Sequence, residues 1–343
     1  METIQIQNKK KRNKGPIIFF AIVVLLIFVV LLLNFISTGK HAKNNSFYSS
    51  DEFPKIDVEG KYIGRLYVEG EIGEGEGGVF DDNSAYFHAE TINAIDQMIT
   101  DENNKGLYIY VNSPGGSVST SDELYLKIKE YKEKTGGKRP VVAYFDDMAA
   151  SGGYYISACA DKIIANRNCW TGSIGVTGGN MYDATELLNK LGIRAKAITS
   201  GPNKAMGDPL SGLTKEQEDI FQSLVDEAYE QFTTIVSEGR GIDIQTVKKL
   251  ADGRIYTAKQ ALENGLIDKI MTEEDSDAYF LSLVHDKNVT IQDIVFEREE
   301  TVLDLLTSKI FDKKEASIDG VAKELIEGSS KFRISYLAPI EKH

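Results

Sequence analysis

Apolar residues follow two patterns along this chain: one unbroken run near the N-terminus, and a series of shorter runs divided by glycine-rich turns. Residues 17–33 are all apolar, and the uncharged stretch continues to residue 36. A helix of about 20 residues spans roughly 30 Å, which is the thickness of a bilayer core. A cleaved signal peptide would have a shorter apolar region ending in a small-residue cleavage site, and no such site follows Leu33. The run therefore predicts a retained transmembrane anchor over residues 17–36.

The shorter runs have the lengths and periods of strands and helices in an α/β domain. Apolar and alternating runs predict strands at residues 61–72, 106–112, 140–145, 162–165 and 193–198. Amphipathic spacing predicts helices at residues 88–101, 118–133, 181–191, 244–250 and 258–262, and a capping box from Thr214 to Gln217 predicts the start of another. Because a helix connects two strands between residues 106 and 145, the sheet is expected to be at least partly parallel.

The order of these patterns divides the chain into five segments. They are a basic tail at 1–16, the anchor at 17–36, a polar tether at 37–56, an α/β body at 57–271 and a C-terminal extension at 272–343. Basic residues that precede a membrane helix keep that end of the chain in the cytoplasm. The N-terminus is therefore expected in the cytoplasm and the body outside the cytoplasmic membrane.

Charge and cysteine content narrow the choice of partners. The net charge is −13, and since the basic tail carries +4, the remainder carries −17, which argues against a nucleic-acid partner. Cys159 and Cys169 are the only cysteines, and they could form a bridge or remain buried free thiols. No Cys/His spacing is typical of a metal site, and the glycine run at 73–78 lacks the phosphate-binding pattern. Neither a metal nor another cofactor is predicted.

Ser151 is the candidate nucleophile. It lies where the predicted strand at 140–145 gives way to a short apolar helix at 154–160, and its neighbours are alanines and glycines that let another chain approach. The first amides of a helix favour a developing negative charge beside such a serine. A serine that only caps the helix is the alternative, because the pattern is not the G-x-S-x-G elbow. Gly115 and Gly116 end the neighbouring strand, and are expected beside Ser151 either as amide donors or as a plain tight turn.

A serine nucleophile needs a proton acceptor, and histidine is the usual one. The four histidines of the chain all fall outside residues 89–284, where the strand-end loops are predicted: His41, His88, His285 and His343. A Ser-His-Asp triad is therefore disfavoured, and a lysine is the remaining candidate. A lysine base should lie among uncharged groups, because burial disfavours the ammonium form. Lys204, in the Gly/Pro/Met-rich loop at 201–207, fits best, and Lys196 in a predicted strand is the second candidate.

Several motifs, taken together and in order, resemble the signal peptide peptidase A family (protease IV-like) of the short single-domain type. They are Asn-Ser-Pro-Gly-Gly at 112–116, Met-Ala-Ala-Ser-Gly-Gly-Tyr-Tyr at 148–155, Thr-Gly-Ser-Ile-Gly-Val at 171–176, Ser-Gly-Pro-Asn-Lys at 200–204 and Ala-Asp-Gly-Arg-Ile-Tyr-Thr at 251–257. The resemblance covers about residues 60–270. It implies a spiral of β/α units as in the Clp-protease/crotonase superfamily, and a membrane-anchored serine endopeptidase that degrades signal peptides left after export.

The resemblance also implies roles for individual residues. By matching position, Ser151 is the nucleophile and Lys204 the general base, and Ser173 would hydrogen-bond the lysine amine. The amides of Gly115 and Gly152 would form the oxyanion hole. Family members assemble as rings, so further copies of the chain are expected partners beside signal-peptide remnants and the lipid bilayer. Ser151 and Lys204 could pair within one subunit or between neighbours.

Two other classes of function remain open from the sequence. A catalytically degenerate member could serve as a membrane scaffold, but such a protein would be free to lose Ser151 or Lys204, and both are present. An acyl-CoA enzyme on the same fold could use the same amides to polarise a thioester. A body outside the membrane would have little access to CoA, which favours the peptidase.

Overall fold

The computed structural model describes residues 53, 55–73, 86–296 and 335–337. The predicted anchor at 17–36, the glycine run beyond residue 73 and most of the C-terminal extension lie outside them. The chain divides into two units, Met1–Pro54 and Lys55–His343, and the described elements belong to the second. Within the described residues, no helix has the length and apolar character needed to cross a bilayer.

Strands and helices alternate through the described part of the chain. The strands are β1 Lys61–Glu69, β2 Asn104–Ser113, β3 Gly115–Ser117, β4 Val141–Ala150, β5 Lys162–Ala165, β6 Trp170–Gly172, β7 Ile255–Thr257, β8 Lys269–Ile270, β9 Val289–Ile294 and β10 Ser335–Leu337. The helices are α1 His88–Thr100, α2 Val118–Lys134, α3 Gly152–Ser157, α4 Thr185–Lys190, α5 Lys215–Arg240, α6 Ile244–Leu250, α7 Ala258–Glu263 and α8 Glu273–Val284. The capping box predicted at Thr214 is present at the start of α5.

A largely parallel sheet runs through this unit, as the strand–helix–strand pattern predicted. The strand order is β7-β6-β4-β2-β1-β9, with β5 paired to β4 and β8 paired to β5. Strand β4 divides its outer edge between two partners: residues 142–145 pair with β5, and residues 148–150 pair with β6. The second half of β4 therefore extends past β5 and ends at Ala150, directly before Ser151, so the sheet itself positions this serine.

Apolar side chains bury both faces of the sheet. One face packs against α1, α2 and α3 through residues such as Ile95, Ile128 and Tyr155. The other face is smaller and packs against Phe280 of α8. Cys159 and Cys169 are both buried free thiols, and burial raises the pKa of each thiol to about 12. The alternative of a disulfide is therefore not realised in this structure.

The segment between β6 and α5 differs from its prediction. Residues 193–198 form no strand, and the helix predicted at 181–191 is limited to α4, which has no buried residue. Ile198 is 93% exposed. The apolar periodicity of this segment is real, but within a single chain it has no core to face, so the pattern alone could not fix a strand.

Candidate active site

Ser151 has a strained backbone in a buried position. It directly precedes α3 and has φ 54° and ψ −113°, a conformation that costs a non-glycine residue on the order of 1–3 kcal/mol. Its side chain makes no capping hydrogen bond to α3, and only 1% of the residue is exposed. The alternative of a simple helix cap is therefore wrong. The Ser151 amide donates to the Gly172 carbonyl at 2.8 Å, which fixes the turn against β6.

Glycines around Ser151 keep space for another backbone. A Cβ built on Gly115 would lie 2.6 Å from the Gly152 nitrogen and 2.9 Å from the Ser151 Cβ, and would overlap the Tyr336 carbonyl oxygen. Gly115 also has φ 105°, which favours glycine. A Cβ on Gly152 would lie 2.7 Å from the Ser121 Oγ. Side chains are excluded here because three backbone segments and Ser151 converge on one point.

The amides of the two strand-end glycines point in different directions. The Gly115 amide donates to the Ser113 Oγ at 3.1 Å, and the Gly115 carbonyl accepts from the Ile72 amide at 2.8 Å. Because a trans peptide places its N–H opposite its C=O, the Gly116 amide faces away from Ile72. The Gly115 amide, predicted to be an oxyanion donor, is thus already engaged. The glycine pattern fits either residue, and only the family resemblance implied Gly115 rather than Gly116.

A strand from the far end of the chain lies on this loop. β10 pairs antiparallel with β3, with Tyr336 opposite Gly116 and Leu337 opposite Gly115. On its other side, Ser335 exchanges backbone hydrogen bonds of 3.0 and 3.1 Å with Thr177. β10 is thus held between two segments that flank Ser151. Nothing in the sequence of these three residues predicted this contact.

The side chain of Tyr336 fills an aromatic pocket. It is fully buried, with its ring 4.7 Å from the Tyr155 ring and 4.8 Å from the Phe232 ring. Its hydroxyl donates to the Ala228 carbonyl at 3.3 Å. Tyr155 is held in turn by a 2.6 Å hydrogen bond to Asp122. Helices α3 and α5 thus build a pocket for a large side chain next to Ser151.

Ser173 lies close to Ser151 because the residue before it, Gly172, is hydrogen-bonded to Ser151. It follows Gly172, whose carbonyl accepts the Ser151 amide, and its own amide donates to the Arg254 carbonyl at 2.8 Å. Ser173 is 4% exposed and has φ 48°. Two of the predicted site serines therefore occupy buried positions with left-handed backbone conformations, the kind of local strain that collects at functional sites.

Lys204 is exposed and stands apart from the other predicted residues. It lies in a turn, and its backbone amide donates to the Gly201 carbonyl at 3.2 Å. Among the described residues, no hydrogen bond or ion pair involves its side chain, so the structure of one chain does not join it to Ser151. Lys196 is likewise exposed. The segment around these lysines also exposes large apolar side chains: Met181, Tyr182, Leu187, Leu191, Ile193, Ile198 and Leu210.

His88 has a polar partner at each ring nitrogen. His88 lies 2.9 Å from the Tyr86 hydroxyl and 3.1 Å from a Glu123 carboxylate oxygen, so both of its ring nitrogens are engaged on α1 and α2. Nowhere in residues 55–73, 86–296 or 335–337 do three His, Cys, Asp or Glu side chains converge as metal ligands.

Known proteins resemble this chain across the region that contains the site. The profile of peptidase family S49 matches residues 133–284, and that of Clp protease matches residues 80–172. An Enterococcus faecium protein named signal peptide peptidase SppA is 37% identical over 75% of this chain and 74% of its own length. Protease 4 of Haemophilus influenzae is 34% identical over 80% of this chain but 43% of its own length. A chloroplastic serine protease SPPA of Arabidopsis thaliana is 30% identical over 61% of this chain and 30% of its own length.

Proposed function

This chain belongs to peptidase family S49 and is a serine protease, and from that premise we propose that it is a membrane-anchored endopeptidase with Ser151 as nucleophile and Lys204 as general base. Its substrates are signal peptides left after export and similar short peptides. The observation that carries this proposal is the placement of β10, an extended segment bound as an added strand next to a buried, strained serine.

β10 occupies the position that a substrate strand needs. Peptide recognition by strand addition uses main-chain hydrogen bonds for affinity and side-chain pockets for specificity. β10 has both, since its backbone pairs with β3 and Thr177 and its Tyr336 ring fills a pocket. The Tyr336 carbonyl oxygen lies against Gly115, as do the Ser151 Cβ and the Gly152 amide. A substrate carbonyl placed like that of Tyr336 would lie within reach of the Ser151 hydroxyl.

The proposed oxyanion hole uses the amides of Gly152 and Gly116. A Cβ built on Gly152 would lie 3.1 Å from the Gly116 nitrogen, so the two residues are close neighbours. The Gly116 residue pairs with Tyr336, whereas the Gly115 amide is taken by Ser113. Gly116 therefore replaces Gly115 in our assignment. Preorganised backbone amides of this kind stabilise the negative charge of the tetrahedral intermediate.

The reaction then follows from proton balance. The neutral Lys204 amine accepts the Ser151 hydroxyl proton while the oxygen attacks the substrate carbonyl carbon. The resulting ammonium donates a proton to the leaving amine as the C–N bond breaks, which leaves an acyl ester on Ser151. Water, deprotonated by the same amine, hydrolyses the ester and restores both groups.

The exposure of Lys204 supports a dyad shared between subunits. Ser151 is buried directly after β4, while Lys204 lies on a segment that exposes seven large apolar side chains in one chain. Apolar surface of this extent is typical of an interface between proteins. We propose that a neighbouring copy covers this segment, that the copies close into a ring, and that each Lys204 serves the Ser151 of a neighbour.

Mixing two inactive variants tests the shared dyad. Ser151→Ala and Lys204→Ala chains, combined and allowed to exchange subunits, should regain about a quarter of wild-type peptidase activity if assembly around the ring is random. The measurement is hydrolysis of a quenched fluorescent peptide after co-purification of differently tagged chains has shown mixed assemblies. Mixed assemblies without activity would place both groups in one subunit.

The substrate assignment has its own test. Synthetic signal peptides should be cleaved by the detergent-solubilised full chain, whereas a folded protein of similar sequence content should remain intact, because a strand-addition site requires an extended chain. Ser151→Ala protein prepared in parallel controls for contaminating proteases. Equal cleavage of folded proteins and free peptides would contradict the assignment to short peptides.

A further inference from the structure

The Ser113 hydroxyl lies at the centre of the loop that presents the Gly116 amide. Ser113 ends β2 and is fully buried. Its Oγ donates to the Gly70 carbonyl at 2.6 Å and accepts from the Gly115 amide at 3.1 Å. We propose, building on the proposed function, that Ser113 is a positioning residue: it fixes the oxyanion loop so that the Gly116 amide, and not the Gly115 amide, faces the substrate carbonyl.

The loop has few backbone N–H donors, so the one that faces the substrate carbonyl must be fixed. Pro114 has no N–H, so the loop from Pro114 to Gly116 carries just two backbone donors. Gly115 has φ 105°, and a glycine backbone passes between conformations that other residues rarely adopt. Without a fixed partner, the Gly115 amide could turn toward the developing oxyanion and rotate the following peptide plane. The Ser113 Oγ removes that alternative by accepting a hydrogen bond from the Gly115 amide.

Neighbouring hydrogen bonds carry this constraint to the Gly116 amide. The Gly115 carbonyl accepts from the Ile72 amide at 2.8 Å, and the Ser117 amide donates to the Ile72 carbonyl at 2.7 Å. These two bonds orient the peptide planes on both sides of Gly116. The Ser113–Gly70 bond ties the start of the loop to the same segment, residues 70–72. The Ser113 hydroxyl thus completes a set of contacts that holds both ends of the loop to one neighbour.

Because the Ser113 hydroxyl is buried, its removal should disturb the loop and lower kcat. In Ser113→Ala, the buried Gly115 amide and the Gly70 carbonyl would both lose a partner, and buried backbone groups rarely remain unpaired. The loop would therefore shift to restore them, and the Gly116 amide would lose its alignment. Removing a whole oxyanion donor lowers kcat by about 10²–10³-fold. Because the donor here is displaced and not deleted, we expect kcat of Ser113→Ala to fall about 10–100-fold.

The test compares the effect of each variant on substrate binding with its effect on stabilisation of the transition state. KM for a fluorogenic peptide should change less than about threefold, since β3 and the Tyr336 pocket remain. The affinity for a peptide boronate, which forms a tetrahedral adduct on a serine, should fall in proportion to kcat/KM across the variants. Ser119→Ala is the matched control, because Ser119 is exposed and its hydroxyl lies 3.0 Å from the Ser117 hydroxyl, away from the Gly115 amide.

Two further variants separate hydrogen bonding from packing. Ser113→Cys fills a similar volume with a weak hydrogen-bonding group and should remain impaired, whereas Ser113→Thr keeps the hydroxyl and should recover most of kcat. Thermal unfolding of each variant shows whether it folds, and Ser113→Cys carries the test if Ser113→Ala does not. A Ser113→Ala or Ser113→Cys enzyme with wild-type kcat and boronate affinity would overturn the role of Ser113 and leave the proposed function standing. An inactive wild type would instead contradict the proposed function.

Discussion

Replacing Ser151 with alanine should abolish peptide cleavage and leave the fold intact. Loss of a serine nucleophile lowers kcat by on the order of 10⁴-fold or more, with a residue of activity left to the oxyanion hole. The change deletes one oxygen in a turn whose buried contacts are made mainly by backbone, so the melting temperature should stay within a few degrees. Hydrolysis of a quenched fluorescent peptide and thermal unfolding measure the two effects.

Ser157→Ala is the matched control for this experiment. Ser157 lies in α3, six residues after Ser151, and is also fully buried, but its hydroxyl donates to the Gly153 carbonyl at 2.9 Å. Its loss should reduce stability by about 1 kcal/mol and leave activity near wild type. Ser151→Ala protein that keeps more than a few per cent of wild-type activity after removal of contaminants would refute the nucleophile.

Replacing Lys204 with arginine should be as damaging as replacing it with alanine. A guanidinium stays protonated under ordinary conditions and cannot accept the serine proton, although it keeps the positive charge. General-base catalysis contributes about 10²–10⁴-fold, so kcat should fall by that range in both variants. Substrate binding should change little, because Lys204 is not among the residues that hold β10.

Lys196→Arg provides the control for Lys204→Arg, since Lys196 is an exposed lysine eight positions earlier in the same segment. It should keep wild-type activity. If Lys204→Arg is active and Lys196→Arg is not, the second candidate base is the correct one. Assembly must be measured for every variant, because the exposed segment is also the proposed subunit interface.

Local sequence patterns predicted the elements that build the site. The apolar run at 140–145 predicted β4, and the glycines after it predicted a close approach of other backbone, which the structure places at Gly115 and Gly152. The strand nevertheless continues through Asp146 to Ala150, because its second half pairs with β6. That pairing brings together residues far apart in sequence, so a local pattern could not reveal it.

The sequence could not show which of the Gly115 and Gly116 amides faces the substrate. Two adjacent glycines satisfy the same pattern, and only the hydrogen bond from Gly115 to Ser113 shows which amide is already engaged. The contact of β10 with β3 could not be predicted either, since three residues carry no periodicity and lie more than 200 positions from Gly115. Loop chemistry points to Lys204, but one chain leaves it exposed and unconnected to Ser151, and its pairing with a neighbouring copy is our proposal.

Covalent labelling of the wild-type protein tests the central claim most directly. A fluorophosphonate reacts with an activated serine by losing fluoride, which leaves a phosphonyl ester of defined mass on the nucleophile. Intact mass followed by peptide mapping should show a single adduct per chain, located on Ser151. Ser151→Ala and Lys204→Ala proteins should remain unlabelled, the second because its serine is no longer activated. An adduct on another residue, or equal labelling of wild type and Ser151→Ala, would contradict the assignment of Ser151 as the nucleophile.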